Sequence, residues 1–267
     1  MFRGDGMEIR GEKWIRFFQA LPGLGIPLHA AGTGFFMVLS VFPTLVLLLG
    51  LVRYTGISVD LLTGLLDGII PQALLPAAKR LILSAYRNTS GAVVSLSALA
   101  ALWSAGRGIS GLIGGLNRMY QRQETRSWIR VRTLSMGYTA LLLPGILLVR
   151  WIHVWGQTLL EKILIPEQAV GLSVLLPLVI QILLFSGMFM VLPNGGNPFR
   201  ASVPGAVVMC LGWTVFSRLY SWYVVSFTGY ANIFGSVYAV ALSMLWLYIC
   251  LCILLFAGAW NHALSQK

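Results

Sequence analysis

The chain has 267 residues, 57% of them hydrophobic and only 10% charged, and its mean hydropathy is +0.81. Soluble domains carry roughly 25% charged residues, so this chain lacks the polar side chains to cover a water-facing surface. That excludes an ordinary cytosolic enzyme, a secreted disulfide scaffold and a disordered tail protein. Nineteen Lys+Arg against eight Asp+Glu leave a net charge of +11, which in an integral membrane protein first reflects bases held in cytoplasmic loops.

The chain opens with Arg3, Arg10, Lys13 and Arg16, mixed with Asp5, Glu8 and Glu12, a pattern unlike a cleaved signal peptide. Trp14 to Leu21 is amphipathic, with Trp14, Ile15, Phe17 and Phe18 beside Lys13 and Arg16, and is expected to lie on the inner surface as an interfacial helix. A bilayer span needs about 20 apolar residues. Six segments qualify: His29 to Val52, Gly91 to Gly115, Thr133 to Trp155, Gly171 to Leu192, Ser202 to Ser226 and Gly235 to Trp260. Alternating polar and apolar strands are absent, so a β-barrel is not expected. The long link after the first span repeats apolar residues at helical spacing, and Pro71 and Pro76 should divide it into two short helices. They form either a packed cap or a gate.

The fold class read from this pattern is all-α, a polytopic membrane protein with six transmembrane helices plus short amphipathic helices in the N-terminal region and first outer loop. Residues 1–267 form a single membrane domain, with a cytoplasmic N-terminal segment (1–28), an outer helical loop (53–90) and a basic cytoplasmic loop (116–132). Arg118, Arg122, Arg126, Arg130 and Arg132 crowd that basic loop, Arg200 follows the fourth span and Lys267 ends the chain. Both termini are therefore expected in the cytoplasm. Arg118, Arg122 and Arg126, at i, i+4 and i+8, are expected on one helical face, facing anionic headgroups rather than RNA.

No Asp or Glu falls inside an expected span, whereas proton and cation pathways usually use intramembrane carboxylates or histidine chains. His29, His153 and His262 lie at span ends, and Cys210, Cys250 and Cys252 sit in apolar runs as packed thiols without metal-ligand spacing. A proton-coupled pump and a metal-dependent nuclease are disfavoured, and no catalytic residue, metal or cofactor is expected. Walker A, GxSxG, HExxH and Rossmann patterns are absent, and Pro193-Asn194-Gly195-Gly196 reads as a tight turn.

Two bases do fall inside spans: Arg107 in the second and Arg218 in the fifth. A guanidinium at depth must snorkel, pair or face water. With no acid nearby in sequence, the alternatives are a reach to the surface or an anionic ligand whose phosphate geometry Arg matches. Ser104, Asn117, Tyr120, Tyr220, Tyr223 and Trp246 complete the candidate substrate-binding set. The second span also carries small residues every four positions, Ser97-Ala101-Ala105, Ser104-Gly108 and Gly111-Gly115, which suit close helix packing or a smooth path. The aromatic residues of the last two spans suit an interfacial belt or a lipid-contacting surface.

Several runs resemble the YihY/BrkB family. They are His29-Ala30-Ala31-Gly32-Thr33-Gly34-Phe35-Phe36 with Leu39-Ser40-Val41-Phe42-Pro43, then Trp103-Ser104-Ala105 with Arg107-Gly108, Leu116-Asn117 and Tyr120. Leu192-Pro193-Asn194, Phe234-Gly235-Ser236, Leu245-Trp246-Leu247-Tyr248 and Gly258-Ala259 continue the likeness. Phe234 stands where the family often has Tyr, and Gly32 and Gly34 where Ala is common. The resemblance implies a six-span bacterial inner-membrane protein of a family once labelled ribonuclease BN and tied to virulence and envelope lipid handling. The nuclease label does not fit the acids and histidines present. The leading expectation is a transporter of a lipid or other anionic amphiphile, with a flippase as its narrower form. The alternatives are a non-catalytic scaffold, a small-ion or solute channel and a membrane-tethered ribonuclease. Membrane lipids, anionic ones foremost, are the expected partners, nucleic acid is not, and self-association is left open.

Overall fold

The computed structural model describes residues 15–55, 64, 75–76, 79–80, 83, 91–138, 166–226 and 231–266. The segment before Ile15, most of the outer link and the third expected span beyond residue 138 lie outside the described residues. Every regular element among the described residues is helical. They are α1 (15–20), a 3-10 turn at Leu21–Leu24, α2 (Ile26–Thr55), α3 (Gly91–Met119), α4 (128–138), α5 (Pro166–Val191), α6 (Phe199–Ser226) and α7 (Ala231–Ser265). Lipid offers the backbone no hydrogen-bond partners, so a chain this apolar closes its N–H and C=O groups within each segment.

Among the described residues two stretches are long and apolar enough to cross a membrane, Phe199–Ser226 and Val240–Ser265. They become three when Ile15–Leu24 and Ile26–Ser40, bent by 46°, count as one. Helix limits agree closely with the segments read from composition: α3 starts at Gly91 as expected and α6 ends at Ser226. The bend falls at Gly25, whose φ of 66° suits a residue without a Cβ. Phe17 of α1 meets Phe256 and Trp260 edge-on at 6.1 and 5.9 Å. The amphipathic segment therefore docks partly on α7, while Ile15 and Phe18 stay exposed.

Helix α3 packs most extensively on α2, and α7 touches α2, α3 and α6. Glycines bring α3 that close. A Cβ on Gly108 would lie 2.8 Å from Met37 Cγ, and one on Gly111 would lie 3.0 Å from Thr33 Oγ1. Gly115 faces Leu255 and His29 in the same way. The small-residue face is thus a packing seam within the chain, while the side chains of Ser97, Ala101 and Ala105 lie outside the described residues. The main core gathers Leu112, Ile113, Leu116, Phe189, Met209 and Leu255. A second cluster holds Tyr220, Val224, Leu242, Trp246 and Cys250. Cys210 and Cys250 are buried free thiols and Cys252 is half-buried, as their apolar context implies. Leu211, Val215, Leu219 and Trp222 form an exposed apolar strip on α6, the outer face of a helix that meets lipid.

Candidate functional site

The basic link does not continue α3. The helix stops at Met119, Gln121 takes a positive φ of 52°, and residues 122–127 are non-helical. The expected single face for Arg118, Arg122 and Arg126 is therefore corrected: each turns to a different partner. Arg118 Nη2 donates to Gly23 O at 3.3 Å. Arg122 Nη1 donates to the carbonyls of Asn194 and Gly196 at 2.7 and 2.8 Å, and its Nη2 to Asn197 Oδ1 at 2.8 Å. Arg126 donates to Glu124 through Nε at 2.8 Å and Nη2 at 2.7 Å, and to Leu192 O at 2.8 Å. The reason is local. The carbonyls of Leu192, Asn194 and Gly196 lie in the turn that follows α5, outside its ladder, and planar guanidinium groups supply their donors.

Asn117 and Asn194 lock this region. Asn117 Nδ2 donates to Glu124 Oε2 at 2.8 Å, and its Oδ1 accepts from Asn194 N at 2.7 Å. Asn194 Nδ2 donates to Gln123 O and Thr125 Oγ1. Gly195 and Gly196, with φ of 78° and 63°, make the tight turn expected from Pro-Asn-Gly-Gly. The Arg126 guanidinium holds the Glu124 carboxyl down at about 2, with burial opposing and Asn117 assisting. Tyr120 is pushed up to about 12 by burial, against the opposing pull of Asn261 and Arg122.

A second node lies beneath. Asn261 is 1% exposed. Its Nδ2 donates to Tyr120 OH at 3.3 Å and Ser202 O at 3.2 Å, and its Oδ1 accepts from Gly205 N at 2.6 Å. Tying α7 to α6 and to the end of α3, it satisfies amide groups that would be costly to bury bare. An Asn directly after the sixth apolar segment was its available signal in the sequence. Of the expected binding residues, Asn117 and Tyr120 thus belong to these joints, 4% and 3% exposed.

Arg107 points outward from α3 as an exposed residue, its guanidinium carbon 5.9 Å from the Phe36 ring centre. Ser104, one turn earlier, is half-buried. Beside Arg107 lies a base that chain-order reading assigned only to orientation. Arg132 of α4 is 8% exposed. Its guanidinium stacks 4.6 Å from the Trp103 ring centre, and its Nη2 donates to Trp103 O at 2.8 Å. Arg132 Nε is buried without a hydrogen-bond partner, and burial first, then the charge of Arg107, pulls the guanidinium below its ordinary pKa. Room for this guanidinium comes from Gly106, where a Cβ would lie 2.8 Å from Nη1. The small residue at 106, within reach of Arg107, was the one hint in the sequence.

The remaining expected residues sit at the α6–α7 contact. Tyr220 OH donates to Leu242 O at 2.7 Å, and Trp246 Nε1 to Ser217 Oγ at 3.2 Å. Tyr223 and Arg218 are exposed. Arg107 and Arg218 share no direct contact, so the residues named from sequence divide into an α3–α4 group and an α6–α7 group. Glu124 is the acid whose side chain is described, and its ion-pair partner is Arg126. Neither Arg107 nor Arg218 meets a carboxylate among the described residues.

Residues 17–267 match the family model described as Virulence factor BrkB. The ribonuclease-like protein YfkH of Bacillus subtilis is 29% identical over 247 residues, covering 89% of this chain and 90% of that protein. A UPF0761 membrane protein of Vibrio campbellii is 22% identical over 250 residues, covering 91% of this chain and 78% of that protein. No solved structure matches.

Proposed function

Since this chain belongs to the Virulence factor BrkB family, a family of membrane proteins, we propose that it carries a lipid or other anionic amphiphile across the bacterial inner membrane as a flippase. In this reading it spans the bilayer six times with both termini cytoplasmic. The observation that carries the proposal is the pair of exposed, span-located bases Arg107 and Arg218, for which the described residues offer no carboxylate. A guanidinium in hydrocarbon draws in something negative or reaches for water. Arg107 would meet a headgroup near one surface and Arg218 near the other, with Ser104, Tyr223 and the α6–α7 aromatic surface between water and acyl chain.

The test is lipid translocation in proteoliposomes that hold a fluorescent anionic phospholipid. Arg107→Gln and Arg218→Gln are each expected to slow translocation. Rates equal to wild type in both variants remove these residues from the mechanism. A scaffold that assembles through α3 has less support, because Gly108, Gly111 and Gly115 already meet Met37, Thr33 and Leu255 inside the chain.

A further inference from the structure

The α3–α4 junction holds a buried cation whose environment is incomplete. Arg132 is 8% exposed and spends one donor on Trp103 O, while its Nε has no partner. A second guanidinium, Arg107, follows Gly106 on α3 and stands one turn beyond Trp103, the two residues that Arg132 lies against. Two like charges on neighbouring turns disfavour each other, and the single described carboxylate side chain, Glu124, is bound to Arg126. Gly106 leaves room for the guanidinium, since a Cβ there would lie 2.8 and 2.9 Å from Nη1 and Cζ and the Arg132 side chain would have to shift, and the Trp103 ring forms one wall.

An apolar track leads away from these charges. Leu96 and Leu99 are each 70% exposed and Trp103 is 54% exposed. With Arg107 they fall at i, i+3, i+7 and i+11, one face of α3. Charge and track together have the shape of an amphiphile, with an anionic head at the guanidinium pair and a chain along the helix.

We propose that Arg107 and Arg132, walled by Trp103, form a seat for the phosphate of a phospholipid whose acyl chain lies along Leu99 and Leu96. Two planar forks suit the oxygens of a phosphate, which accepts from both at once and neutralises their mutual repulsion. The proposal deepens the carrier reading by naming its substrate class. Binding is measured apart from translocation, so the two fail separately.

The experiment is native mass spectrometry of the purified full chain in detergent, titrated with phosphatidylglycerol or with diacylglycerol of the same chains. Wild type is expected to retain phosphatidylglycerol in preference to diacylglycerol. Arg107→Gln and Arg132→Gln should each weaken retention about tenfold, the scale of one lost charged hydrogen bond. Arg132→Lys should recover only part of it, because an ammonium keeps the charge and loses the fork. If Arg132→Gln does not fold, the exposed Arg107→Gln carries the result. Millimolar inorganic phosphate that leaves the bound lipid in place supports a lipid seat, whereas displacement by inorganic phosphate assigns the seat to free phosphate and overturns the lipid source. Retention at wild-type level in Arg107→Gln and in Arg132→Lys or Arg132→Gln overturns the seat itself. Loss of binding with translocation unchanged sinks the carrier role of this pair, and intact binding without any translocation sinks the carrier reading while keeping the seat.

Discussion

The backbone N–H of Asn194 donates to the side-chain oxygen of Asn117 at 2.7 Å, across 77 residues of sequence. One amide side chain thereby reads both the turn after α5 and, through Glu124, the link after α3. The joint replaces the helix that the arginine spacing suggested.

Removing Asn117 breaks both bonds at once. Asn117→Ala leaves the Asn194 N–H without its acceptor, and the expected loss is about 1–3 kcal/mol of stability, read as a lower unfolding midpoint in detergent. A midpoint equal to wild type would show that water or a neighbour replaces the amide at no cost.

Arg122 is tested by its shape. Three bonds to Asn194 O, Gly196 O and Asn197 Oδ1 use both terminal nitrogens of the fork. Arg122→Lys retains the charge yet is expected to expose the 193–197 turn to limited proteolysis nearly as much as Arg122→Gln. Full protection by Lys would reduce the role of Arg122 to charge.

The Glu124 carboxyl lies at about 2, below its ordinary value of 4.5. A depressed folded-state pKa contributes stability that is present above the ordinary value and lost as pH falls toward 2. Wild type is therefore expected to lose stability between about pH 4.5 and pH 2, and Glu124→Gln to lose less over that window. Because Glu124 is partly solvent-exposed, the difference is expected to be modest. Parallel melting curves of the two proteins across the window would count against the pairing with Arg126.

Two helical glycines should respond in opposite senses. A Cβ at Gly205 would lie 2.6 Å from Ala257 O, a backbone atom that cannot step aside. Gly205→Ala should therefore cost about 1–3 kcal/mol. Gly114 has nothing within 4 Å, so Gly114→Ala should be neutral or stabilise by up to about 1 kcal/mol through helix propensity. Thermal unfolding of both variants checks the contrast, and equal midpoints would remove close packing of α6 on α7 as its cause.

Composition alone makes this an α-helical membrane protein, because a chain with so few charges must hide its backbone bonds inside helices when its surface meets lipid. The limits of α3, α5, α6 and α7 follow from the same apolar runs, and the Pro-Asn-Gly-Gly turn from the residues that tolerate positive φ. What each arginine does was decided by the tertiary structure. Arg122, Arg126 and Arg132 are alike as letters, and their order along the chain marks all three as charge near a membrane surface. Their roles depend on which carbonyls, glycine gaps and aromatic rings the packed helices bring beside them: the turn after α5 for Arg122 and Arg126, Gly106 and Trp103 for Arg132. Hydrogen-bond geometry between segments distant in sequence has no periodic trace in the sequence, whereas burial in hydrocarbon does.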